Sequence, residues 1–147
     1  MLKIISSIIA ISAFSIIIKV SKNKIKYTVL GGTISTIISV SMMNYGYKTF
    51  TYTFVAMIIV CVYSEVLARI IKTPSDIILI PSSIPLLPGS YLYYTMSHLV
   101  HFNREKFIYY ASETISAGLG IALGGILVSM LIIFITDIKS NWVIKPK

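Results

Sequence analysis

An all-α integral membrane protein of about five transmembrane segments, the fourth of them broken, is the fold class that this sequence predicts. Three observations point to it. Of 147 residues, 56% are hydrophobic and 12% charged, with a mean hydropathy of +0.85, whereas a soluble domain carries roughly 25% charged residues. The apolar residues gather into five runs, 4–20, 27–43, 50–71, 75–101 and 109–135, each near the length of about 20 residues that crosses a bilayer. The basic residues sit between those runs. A water-soluble fold this short could not hide so much apolar surface, so residues 1–147 read as a single transmembrane domain whose solvent is lipid.

Run 4–20 follows only one positive residue, Lys3, and no small-residue cleavage site precedes the basic stretch. It reads as an uncleaved first span rather than a signal peptide. Lys19, Lys22, Lys24 and Lys26 form a short basic loop before the second run. Asn44-Tyr45-Gly46-Tyr47-Lys48 is a turn with interfacial tyrosines. The third run closes on Arg69 and Lys72, and Thr73-Pro74-Ser75-Asp76 then reads as a helix start with Thr73 as N-cap and Pro74 at the first position. His101-Phe102-Asn103-Arg104-Glu105-Lys106 separates the fourth run from the fifth, and a tail with Trp142, Lys145 and Lys147 ends the chain.

If all five runs cross, nine of the 13 Lys and Arg fall on one side and four on the other. The positive-inside rule then puts the N-terminus outside and the C-terminus in the cytoplasm. A re-entrant fourth run would make the division eight to five, which still leaves re-entry open. The net charge of +8 is therefore a topology signal, since no basic stripe or aromatic-basic motif for nucleic acid is present. Cys61 is alone and lies in an apolar run, which excludes an internal disulfide. His98 and His101 share a helix face by spacing but have no third ligand, so no metal site and no cofactor is expected. Zinc-protease, nucleophile-elbow and phosphate-loop signatures are absent, so the chain is not expected to be an enzyme.

Small residues at four-residue spacing mark two contact faces: Gly31, Ser35 and Ser39 in the second run, and Ser112, Ser116, Gly120 and Gly124 in the fifth. They serve either packing within the chain or contact with a partner. The stretch 80–90 carries Pro81, Pro85 and Pro88 followed by Gly89. Each proline lacks an N–H and removes the donor for the carbonyl four residues earlier, which frees Ile77, Pro81 and Ile84. A helix interrupted at membrane depth persists only when buried in protein or lining a wet cavity. A second half-helix from Gly89 would offer the N–H groups of Gly89, Ser90 and Tyr91 to a carboxylate, with Ser82 and Ser83 adding hydroxyls. Ser82, Ser83, Pro85, Pro88, Gly89 and Ser90 are the candidate substrate-binding residues. Glu65 lies within the third run and either carries a proton or pairs with Arg69 one turn away. Glu113 opens the fifth run as an interfacial or coupling acid.

Ile84-Pro85-Leu86-Leu87-Pro88-Gly89, followed by Ser90 and Tyr93, resembles the proline-glycine signature of the threonine/serine exporter family. Lys72-Thr73-Pro74 and Glu113-Thr114-Ile115-Ser116-Ala117-Gly118 are also similar, and the likeness spans roughly residues 69–135. The resemblance implies export, driven by the proton motive force, of small carboxylated metabolites: threonine and serine in some branches, succinate in a two-subunit branch. It implies the short, small-subunit type in a bacterial plasma membrane, acting with a larger multi-span subunit or as a homo-oligomer. A non-transporting membrane scaffold and a channel are the competing readings.

Overall fold

The computed structural model describes residues 2–143, with side chains described for residues 4–137. Lys145 and Lys147 of the basic tail, and the side chains of Lys3, Lys139 and Trp142, lie outside the described residues. Among these residues the chain is wholly helical: α1 (Leu2–Ile17), α2 (Lys22–Asn44), α3 (Thr49–Ile70), α4 (Asp76–Ser83), a 3-10 turn (Ile84–Leu86), α5 (Gly89–Val100) and α6 (Arg104–Val143).

The expected count of five crossings is one too high. Three helices, α2, α3 and α6, are long and apolar enough to span a membrane, and the pair α4–α5, bent by 51°, makes up to four. The first run falls short because its helix stops at Ile17 after 16 residues, a rise of about 24 Å against a hydrocarbon core of about 30 Å. Its last three residues belong to the turn. There Lys19 adopts φ 58°, and the Val20 N–H returns to the Ser15 carbonyl at 2.9 Å. The same closure ends α2, α3 and α5. Gly46, Lys72 and Phe102 take φ of 81°, 50° and 55°, while Tyr47, Thr73 and Asn103 donate to Met42, Ala68 and His98. These are Schellman caps, only one of them built on glycine. The expected start of α4 also moves. Helix begins at Asp76, Ser75 precedes it without a side-chain cap, and the Thr73 hydroxyl bonds the Ile71 carbonyl instead.

Both small-residue faces are used inside the chain. On α2, a Cβ at Gly31 would come within 2.6 Å of Ser82 Oγ and 2.8 Å of the Tyr63 ring, and one at Gly32 within 2.2 Å of Ile11. Four neighbours therefore reach α2 closely: α1, α3, α4 and the turn after it. On α6, a Cβ at Gly120 would lie 2.8 Å from the Phe50 carbonyl, and one at Gly124 3.0 Å from that of Phe54. Glycine lets the backbones of α3 and α6 meet there, and they form the most extensive helix pair. The N-terminal members of that stripe differ: Ser116 is half-buried and Ser112 exposed.

The order of these contacts settles a topological question. Gly120 meets Phe50 and Thr53, and Gly124 meets Phe54 and Met57, so α3 and α6 run parallel. The chain that leaves the end of α3 must therefore reach the opposite end of the bundle before α6 begins. The pair α4–α5 makes that passage, and a re-entrant fourth segment would have left α6 antiparallel to α3. Leu86, in the 3-10 turn, is anchored in the core formed with Ala56, Met57, Cys61 and Val128. The interruption thus sits inside the bundle between two half-helices.

Candidate functional site

The interruption is built by prolines, but more locally than their spacing predicts. Pro81 lies within α4, which continues past it to Ser83. Pro85 withholds its N–H from the Pro81 carbonyl, which takes the Ile84 N–H instead. Pro88 withholds its N–H from Ile84, whose carbonyl takes the Leu87 N–H at 3.1 Å. Those two carbonyls, expected to be free, are re-satisfied by tighter 3-10 bonds. The Gly89 N–H turns back to the Leu87 carbonyl at 2.8 Å, which takes away the helical donor of Pro85. The first regular bond of α5 runs from Leu92 to Pro88 at 2.9 Å. The open groups at the break are thus the Pro85 and Leu86 carbonyls and the N–H groups of Ser90 and Tyr91, which an α-helix leaves without a carbonyl at its first turn.

Beside this break lies a cavity of about 580 Å³ lined by the whole segment from Ile84 to Tyr91. Its opposite walls are Ser6, Ser7 and Ala10 of α1, Thr36, Ser39, Val40 and Met43 of α2, Tyr52 and Thr53 of α3 and Ala117 of α6. No Lys, Arg or His is among these lining residues. Four of the wall hydroxyls spend their protons locally. Ser7 donates to Ile4 at 2.8 Å, Thr36 to Gly32 at 2.8 Å, Ser39 to Ser35 at 2.6 Å and Thr53 to Thr49 at 2.8 Å. A hydroxyl that has donated still accepts, so these walls present oxygen lone pairs, while the half-helix opposite presents N–H donors.

The structure divides the candidate residues expected at the site. Pro85, Pro88, Gly89 and Ser90 line the cavity. Ser82 does not. It is fully buried, donates to the Thr28 carbonyl at 3.0 Å and receives Ser35 on its own carbonyl at 3.2 Å. Ser83 bonds Ile80 at 2.9 Å on an exposed face. Ser39 of the packing stripe reaches the cavity as well. Glu65 and Arg69 form an i,i+4 ion pair at 3.9 Å. Glu113 accepts a hydrogen bond from the Thr49 hydroxyl and lies close enough to interact with Tyr52. His98 and His101 do not converge: His98 stacks on Tyr110 at 5.4 Å and His101 bonds the Ser97 carbonyl at 2.7 Å. No cluster of potential metal ligands occurs among the described residues. Sequence reasoning missed Ser6, Ser7, Thr36, Tyr52 and Thr53, and read Tyr91 only for its N–H. Each is a hydroxyl within an apolar run, and that signal was readable, but the inward face of each helix was not.

An apolar helical bundle with one interrupted segment beside a cavity that carries several hydroxyls fits a membrane transport protein. A profile of the family described as Threonine/Serine exporter, ThrE, matches residues 3–131, and the chain belongs to that family. The match reaches well beyond the likeness read at residues 69–135 and takes in α1 and α2. No curated protein and no solved structure matches the chain.

Proposed function

We propose that this chain is the small subunit of an exporter for a zwitterionic hydroxy amino acid of the threonine or serine type. The single observation that carries the reading is the chemistry of the cavity at the break. A zwitterion offers a carboxylate for the N–H groups of Ser90 and Tyr91, with Pro88 setting the start of the half-helix. It offers an ammonium for the Pro85 carbonyl and for the oxygen lone pairs of Thr36 and Ser39. A dicarboxylate such as succinate brings acceptors at both ends. It would meet no cationic side chain on the lining and, at Ser7, Thr36, Ser39 and Thr53, hydroxyls that already donate elsewhere, which favours the zwitterion.

The energy source in this reading is the proton motive force, and the setting is a bacterial plasma membrane with the C-terminus in the cytoplasm. A larger multi-span subunit, or further copies of this chain, completes the pathway. Only 17% of the apolar window of α6 is buried against 39% of that of α3, which leaves α6 a broad apolar surface for lipid or for such a partner.

Gly89 supplies the test. A Cβ added there meets no atom within 4 Å, so Gly89→Val places its first carbon in open space and its branches beside the N–H groups of the break. Threonine efflux from cells producing the variant with its associated subunits is expected to fall to the background of cells lacking the chain, at wild-type membrane abundance. Normal efflux would remove the break from the binding site. Efflux of succinate but not of threonine by the wild type would reverse the choice of substrate.

A further inference from the structure

Glu65 of α3 and Glu113 of α6 are both set in from the ends of spanning helices, and the structure treats them differently. Glu65 has Arg69 beside it and lies twelve residues beyond Thr53 of the cavity wall, about 18 Å along α3. Glu113 is half-buried within the span of α6. Among the described residues no basic side chain forms an ion pair with it, the one salt bridge being Glu65–Arg69. Its oxygen Oε2 takes the hydroxyl of Thr49, a residue 7% exposed. Tyr52 interacts with both Glu113 and Tyr91, and both tyrosines line the cavity. The titratable groups around Glu113 are thus Tyr52 on α3, Tyr91 on α5, and Tyr109 and Tyr110 one turn earlier on α6. Lys48, just before Thr49, is exposed. Glu113 thus lies level with the first turn of α3 and is held by a hydroxyl instead of a cation, and an acid within a spanning segment is a candidate functional group by default.

We propose that Glu113 is the proton-carrying group of the transport cycle and acts on substrate through Tyr52 and Tyr91 without touching it. The proposal rests on the exporter reading above. A proton from water adds to Oε1, the carboxylate becomes a neutral acid, and Oε2 keeps the Thr49 hydrogen bond. Release returns that proton to water. The ionised form places a negative charge behind the tyrosine wall and favours an ammonium in the cavity; the neutral form does not. Proton and substrate therefore exclude each other, which is the requirement for antiport.

The experiment compares wild type and Glu113→Gln in membrane vesicles carrying the chain with its co-purifying subunits. It reads threonine movement driven by a pH gradient, and threonine–threonine exchange without a gradient over a range of pH. Gln mimics the neutral acid permanently. Gradient-driven movement is expected to be lost, while exchange survives with a raised KM that no longer depends on pH. Retained gradient-driven movement overturns the proposal. So does loss of exchange at every threonine concentration with normal abundance, which would make Glu113 a direct ligand. Absence of both activities in the wild type would sink the exporter reading itself, and the proton role with it. Should Glu113→Gln not accumulate, the wild type remains decisive. A hydrophobic carbodiimide, which adds to protonated carboxyls in apolar surroundings, is expected to label Glu113 faster as pH falls and more slowly with threonine present. Labelling that ignores both overturns the assignment.

Discussion

The two halves of the interrupted segment are held to different degrees. The first half, α4, is tied into the bundle. Ile78, Pro81 and Ser82 are fully buried, Ser82 exchanges hydrogen bonds with Thr28 and Ser35 of α2, and Gly31 lets α2 approach to contact. The second half, α5, leans on α6 mainly by its rings, with Tyr94 on Tyr110 at 5.1 Å and His98 on Tyr110 at 5.4 Å, and by one long hydrogen bond between the hydroxyls of Thr95 and Thr114 at 3.3 Å. Thr95 is its one buried residue. Hydrogen bonds between helices fix position and register, whereas stacked rings tolerate sliding. The contrast gives the break a fixed side in α4 and a more lightly tied side in α5, with the cavity beside the turn that joins them.

The largest effect should come from breaking the fixed side. In Gly31→Val the new side chain would push on Ser82 Oγ, which can yield only by giving up its bond to Thr28, and on the Tyr63 ring. Overpacking of this kind costs about 1–3 kcal/mol. Membrane abundance and thermal stability in detergent should both fall clearly. Gly118→Ala, whose Cβ meets nothing within 4 Å, should leave both unchanged. Equal behaviour of the two variants would mean that α2 and α4 do not depend on close approach.

A smaller loss should follow removal of one tie. Ser82→Ala deletes the donor to Thr28, and interhelical hydrogen bonds in membrane proteins contribute about 0.6 kcal/mol on average and up to about 1.7. Ser83→Ala removes only a bond within α4, to Ile80 on an exposed face, and should be neutral. Detergent unfolding of the two variants measures the difference. A Ser83→Ala loss as large as that of Ser82→Ala would erase the distinction between a tying and a local hydroxyl.

How much of this was legible in the sequence depends on the kind of signal. Three prolines and a glycine announced the break, because a missing N–H is a local property of the residue. The fate of the freed carbonyls was not legible, since Pro81 and Ile84 recover donors from residues that only the 3-10 geometry brings near. Helix ends were misplaced for a related reason. Lys19, Lys72 and Phe102 occupy left-handed cap positions that sequence patterns reserve for glycine, at a cost of roughly 1 kcal/mol each, so α1 ended sooner than its apolar run. The small-residue stripes identified contact faces, but which helix would meet them depends on long-range packing. The hydroxyls of Ser6, Thr36 and Tyr52 line one cavity from three helices that spacing along the chain does not connect. The two acids looked alike in sequence, each inside an apolar run, and diverged only when Arg69 fell beside one and Thr49 beside the other.

That divergence sets the last and smallest expected effect, at Glu65. The pair with Arg69 is long, at 3.9 Å, with Arg69 65% and Glu65 30% exposed. An i,i+4 pair this open contributes about 0.3–0.5 kcal/mol. Glu65→Gln should therefore shift thermal stability barely beyond measurement error. It should also leave both gradient-driven export and its pH dependence in place, because Arg69 can still turn outward to water or lipid headgroups when its partner is neutral. Glu113→Gln is expected to do the reverse, with little change in abundance and loss of coupling. Measured side by side in the same vesicles, the two variants separate an acid that balances a neighbouring cation from one that has none. Loss of coupled export in Glu65→Gln, at normal abundance and with Glu113→Gln still coupled, would move the proton site from the α5 side of the break to the far end of α3. The cavity would then need a route for the proton along some 18 Å of that helix, past Cys61 and Ser64, both buried, and Ser64 already bonded to the Cys61 carbonyl at 2.9 Å.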